Sequence, residues 1–159
     1  MRSRNITRDS GGRIVPTSRD TTASCEEVWN VLANGWTYAT WVVGASRIRA
    51  VDNTWPAAGS AIHHSVGAWP AVLSDVTRSV GTHVDREIRL EARALPFGKA
   101  SITVRLHPIA TGCRIEIIEH AITPPFDLVP NRIQHLLAHP RNAEALRRLA
   151  LLAERSTTP

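Results

Sequence analysis

The chain reads as an α+β fold in which one antiparallel sheet of about seven strands is closed by a long C-terminal helix. Three observations carry that reading. Apolar and polar residues alternate with period two in successive runs between residues 46 and 122, with turn residues between the runs. Two short helical patterns come before those runs. After residue 128 the period changes to that of a helix and stays there. A run of strands closed by one helix gives a layered arrangement with the helix on one sheet face.

Each element follows from its residues. Residues 1–12 are polar and end in Gly11-Gly12, so they form a leader outside the domain. Residues 13–22 read as a first strand, with Pro16 placing it at a sheet edge or a bulge. Ser24 to Glu27 has the form of a capping box and opens a short helix carrying Val28, Val31 and Leu32. Asn34-Gly35 stops it. A second short helical segment, residues 36–42, carries Trp36, Tyr38 and Trp41. Strands are then expected over 46–51, 60–68, 71–80, 87–93, 100–107 and 113–122. The final helix spans roughly residues 130–154, with one stripe at Ile133, Leu136 and Leu137 and another at Leu146, Leu149, Ala150 and Ala153. Pro140 removes one N–H donor and crowds the Leu136 carbonyl, which predicts a kink without an end to the helix. Residues 13–155 therefore form a single domain, and 156–159 a tail.

Composition narrows the function. The chain has 159 residues, 43% of them apolar, enough for a core that needs neither disulfide nor metal. No apolar run is long enough to span a membrane, and the polar N-terminus does not read as a signal peptide. A cytoplasmic protein is expected. The charge is +5, and every base except Lys99 is arginine. These arginines are scattered on strand and helix faces rather than clustered, which argues against nucleic acid as a partner. Cys25 and Cys113 lie far apart in a chain without a secretory signal and are expected to be free thiols. His135 and His139 share a helix face but have no third ligand, and His63 and His64 point to opposite faces of a strand. No metal or other cofactor is expected.

The segments ASCEEVW (23–29), GWTYATWVVGASRI (35–48) and IHHSVGAWP (62–70) resemble the SRPBCC superfamily. This is the START-like, helix-grip group that includes polyketide cyclase/dehydrase-like proteins, and the similarity is to an actinobacterial branch of it. It covers roughly residues 13–154. The resemblance implies a curved seven-stranded antiparallel sheet wrapped around the C-terminal helix, two short helices between strands 1 and 2, and an apolar cavity beneath the helix. Members bind lipids, sterols, polyketides or plant hormones, and some catalyse cyclisation, dehydration or hydrolysis. Where the family usually has proline at the first helical position, this chain has Cys25.

Strand alternation selects the residues facing such a cavity. They are Ile88 and Leu90, then Ile102 and Val104, then Ile117. The resemblance implies that the short helices carrying Trp36, Tyr38 and Trp41 border the cavity mouth, and Trp69, next to Pro70, ends a strand near its rim. Flat amphipathic side chains there suit an apolar ligand. His64 and Glu119 are polar residues on otherwise apolar rows, and as a pair they suit general acid–base work. The expected function is binding of a small hydrophobic molecule of polyketide, lipid or aromatic type. The alternative is a polyketide cyclase or dehydratase that uses His64 and Glu119. A protein-interaction domain would instead need an exposed apolar surface.

Overall fold

The computed structural model describes residues 16–93 and 98–156. Strand β1 (Thr17–Thr21) is followed by helix α1 (Cys25–Ala33), a 3-10 turn (Gly35–Thr37) and the single-turn helix α2 (Tyr38–Trp41). Six strands follow in sequence: β2 (Ala45–Val51), β3 (Ala61–Val66), β4 (Leu73–His83), β5 (Glu87–Arg93), β6 (Lys99–Ile109) and β7 (Gly112–Ala121). A second 3-10 turn (Phe126–Leu128) leads into helix α3 (Asn131–Ser156). All strands belong to one antiparallel sheet in the order β1-β7-β6-β5-β4-β3-β2. The expected α+β helix-grip architecture is present, with both short helices between β1 and β2. The first three residues of the expected first strand, 13–15, and the leader lie outside the described residues.

Local chemistry accounts for the boundaries. Ser24 accepts a hydrogen bond from the Glu27 N–H, and Glu27 accepts one from the Ser24 N–H, so the capping box satisfies two otherwise orphaned donors of α1. Asn34 ends α1 and caps the next turn, its side chain accepting from the Trp36 N–H. Helix α3 runs continuously through Pro140. With no N–H at that position, the Leu136 carbonyl lacks its helical donor.

The core lies between the sheet and the helices. Val28, Trp29 and Leu32 of α1 pack with Leu146, Leu149, Ala150 and Ala153 of α3 over the inward rows of β5, β6 and β7. The two stripes of α3 differ in their surroundings. The second stripe is buried, but Ile133, Leu136 and Leu137 of the first are exposed. Polar contacts dock that half of the helix: buried Gln134 accepts from the Ala121 N–H and donates to the Val129 carbonyl.

β4 reverses the usual pattern. Its polar row, Asp75, Thr77 and Ser79, points inward and is buried, while Val80 is exposed. A register shift between Ser79 and Gly81 sits beside Val80.

Candidate functional site

The cavity lies toward the end of the sheet that carries Val66 of β3, Arg93 of β5 and Ala100 of β6. α2 supplies Tyr38 and Trp41 at i and i+3, the spacing that puts two side chains on one helix face, and both are buried. Their rings meet edge to face with centroids 5.5 Å apart. The residues just after α2, 42–45, form one lip. Leu90, Ile102 and Ile117 supply apolar wall from three adjacent strands, and Ala145 closes it from α3. The space is about 110 Å³, room for more than a single water, and it opens to solvent.

Polar groups enter from two sides. On the β3–β4 side His64, only 3% exposed, pairs across the strands with Asp75. Its Nε2 lies 3.0 Å from the Thr77 hydroxyl, which lies 2.9 Å from the Tyr38 hydroxyl. The Tyr38 and His64 ring centroids are 5.1 Å apart. Burial pushes the Tyr38 hydroxyl up to about 12, against a smaller lowering by its Thr77 hydrogen bond, so it remains a proton donor. Burial also holds His64 below its ordinary value of 6.5, outweighing the opposing pull of Asp75. The imidazole is therefore neutral at neutral pH. Protonation at Nδ1 lets Nε2 accept from Thr77, and Thr77 then accepts from Tyr38. Nδ1 itself is buried with no hydrogen-bond partner.

On the β7–α3 side, both carboxylate oxygens of Glu119 accept from Arg141 Nη2, and one also accepts from Asn142 Nδ2 at 3.0 Å. Glu119 is mostly buried, and Arg141 is about half exposed. Arg93, an exposed residue at the end of β5, also borders the cavity.

The lowered His64 value has a thermodynamic consequence. Folding favours the neutral ring, so this contribution to stability is complete above the ordinary value of 6.5 and is lost as pH falls toward the folded value. Between about pH 7 and pH 5, the thermal midpoint of the wild type should fall more steeply than that of His64→Gln. Parallel calorimetric scans check this, and equal slopes would refute it.

Of the residues expected at the site, the cavity brings together Tyr38, Trp41, His64, Leu90, Ile102, Ile117 and Glu119. Ile88 and Val104 face the expected side but do not line it. They pair with each other further along β5 and β6, where α1 and α3 fill the space, and both are fully buried. Trp36 and Trp69 also lie away from the lining. Trp36 projects from the 3-10 turn and is 61% exposed, since Tyr38 and Trp41 take the inward face of the following turn. Trp69, 89% exposed, lies in the β3–β4 hairpin beyond the last cross-strand pair, Val66 with Leu73. Sequence reasoning missed Asp75, Thr77, Arg93, Arg141 and Asn142. For Asp75 and Thr77 a signal existed, the alternating polar row with Ser79, but the apolar partners of that row point outward.

A profile described as "Polyketide cyclase / dehydrase and lipid transport" matches residues 13–154. The chain belongs to this polyketide cyclase/dehydrase and lipid transport family. No functionally curated protein matches it. Among solved structures it is similar to protein NE0264 from Nitrosomonas europaea, with a TM-score of 0.69 and 14% identity over 89% of this chain and 94% of that one. The Zhui aromatase/cyclase from Streptomyces sp. R1128 gives a TM-score of 0.65 and 14% identity over 91% and 94%. Protein CV1439 from Chromobacterium violaceum gives 0.62 and 20% over 87% and 95%. At these identities the shared property is the family fold. Among the described residues, no helix is long and apolar enough to cross a membrane, and no cluster of three or more His, Cys, Asp or Glu could hold a metal.

Proposed function

We propose that this member of the family binds a small apolar molecule in the cavity under α3. The supporting observation is a solvent-open space with aromatic and aliphatic walls and a few converging polar groups, the usual make-up of a small-molecule site. Tyr38, Trp41, Leu90, Ile102 and Ile117 bury the body of the ligand. The His64–Thr77–Tyr38 chain and the Glu119–Arg141 pair meet its polar atoms.

The neutral, buried His64 favours a second reading, a cyclase or dehydratase-type enzyme. In that reading the ring instead carries its proton on Nε2 and donates it to Thr77, so the Nδ1 lone pair is free to take a proton beside an enolising carbonyl. Glu119 then contributes through Arg141, to which both its oxygens are tied.

One set of variants tests both readings. Native mass spectrometry of protein from its own host identifies a co-purifying molecule, and its affinity is then followed through intrinsic tryptophan fluorescence. Ala145→Phe fills the cavity and should weaken binding at least tenfold with the circular dichroism spectrum unchanged. Unaltered affinity would place the ligand elsewhere. In the binding reading, His64→Ala and Glu119→Gln change affinity only modestly, because buried apolar area dominates. In the enzymatic reading each lowers turnover by roughly a hundredfold.

A further inference from the structure

The two cysteines are 88 positions apart in sequence, yet their sulfurs lie 2.7 Å apart. That is inside non-bonded contact, which begins at roughly 3.5 Å even for carbon pairs. It is outside a disulfide bond, about 2.05 Å. Both residues are free thiols in this structure. Their backbones are held independently. Cys25 is the first residue of α1, fixed by the Ser24–Glu27 capping box. Cys113 is paired on both sides, with Thr21 of β1 and Pro108 of β6. The sulfur–sulfur gap left to close is therefore well under about 1 Å.

We propose that Cys25 and Cys113 form an oxidation site at which a small-molecule disulfide converts the dithiol to an intramolecular cystine. The site is separate from the cavity, and neither sulfur lines it.

The two thiols have different roles. Cys113 is fully buried, and burial together with its contact to Cys25 pushes its thiol up to about 12, so it remains protonated until the second step. Cys25 is only half-buried, so reagent reaches it first. Cys25 loses its thiol proton to water, and the thiolate attacks one sulfur of the reagent R–S–S–R, forming Cys25–S–S–R and releasing one RS⁻. Cys113 gives its proton to that leaving thiolate. Its sulfur then attacks the Cys25 sulfur and expels the second RS⁻, which takes a proton from water. Two thiols are oxidised by two electrons, and one small disulfide is reduced to two thiols. The new bond ties the start of α1 to the start of β7 across a long loop, the arrangement in which a cross-link restricts the unfolded chain most.

The test uses the full chain, reduced and desalted, then incubated with oxidised glutathione. Intact mass should fall by two hydrogen atoms, with no thiol left to alkylate in denaturant. A digest should yield one peptide pair joined through Cys25 and Cys113. The thermal midpoint should rise by roughly 10 °C and return to its starting value on reduction. Cys113→Ser should instead stop at a single glutathione adduct on Cys25, which shows the order of attack without requiring the cross-link. Two alkylatable thiols after oxidation, a chain carrying two glutathiones, or a bond between two chains would each overturn the proposal.

Discussion

Replacing Leu149 with alanine should lower the stability of the fold by about 4 kcal/mol, because Leu→Ala at a fully buried site loses both transfer energy and packing around the new void. Leu149 sits on the inward face of α3 with Leu146, Ala150 and Ala153, where helix and sheet are in full contact. Both sides of that contact are regular secondary structure, so neither can collapse far into the void. For a chain of this length such a loss corresponds to a fall in thermal midpoint of roughly 10 °C or more. Leu151→Ala, two positions on and pointing outward, is the control and should cost under about 1 kcal/mol. Denaturant titration of the three proteins checks the contrast. Equal midpoints for Leu149→Ala and the wild type would show that this stripe is not the core.

The second large effect is expected at Gly112. It opens β7 with φ +145°, in the region that favours glycine, and a Cβ there would lie 2.2 Å from the Thr21 carbonyl oxygen and 2.8–2.9 Å from Thr22 backbone atoms. Those atoms belong to the main chain leaving β1, so no side chain can swing aside. Gly112→Ala should therefore separate β1 from β7 locally and cost roughly 3 kcal/mol. Amide exchange at Thr21 and Cys113 should accelerate, while exchange in β4 and β5 stays slow. Gly44 is a useful comparison. It also has positive φ, but a Cβ there meets nothing within 4 Å, so its alanine variant carries only the backbone strain.

The sequence expectations succeed where period and packing agree. Alternation along β5, β6 and β7 assigns the inward face correctly at Ile88, Leu90, Ile102, Val104 and Ile117. It carries no information about distance along a strand, and that distance separates a residue under a helix from a residue at the cavity. Ile88 and Leu90 share a face two positions apart, and only Leu90 reaches the open space. β4 escapes the rule for another reason. Its inward row is polar because Thr77 bridges Tyr38 and His64 and Ser79 donates to the Pro56 carbonyl, bonds to residues far away in sequence. Hydrophobicity therefore points the wrong way along this strand. Arg141 and Asn142 were equally hidden, since only the docking of α3 brings them to Glu119. Of the tryptophans, Trp36 and Trp41 were placed at the mouth by the family resemblance, and nothing in the sequence shows which way a 3-10 turn or a hairpin tip will turn Trp36 and Trp69.

The strand order has a consequence for how the chain is assembled during synthesis. β2 to β7 form a simple meander in which each strand pairs with the next, so these strands can zip up as they leave the ribosome. β1 cannot join them. It emerges first but belongs on the far edge, where Thr17 faces Ile117 one hundred positions later. Its other partners come later still: the Thr21 hydroxyl donates to Glu154, and the Thr17 hydroxyl meets His139, both on α3. The first strand made is thus the last to find its place. Until β7 and α3 have appeared, the nascent chain carries β1 and the apolar face of α1 without a partner, the period in which a holding chaperone has most to protect.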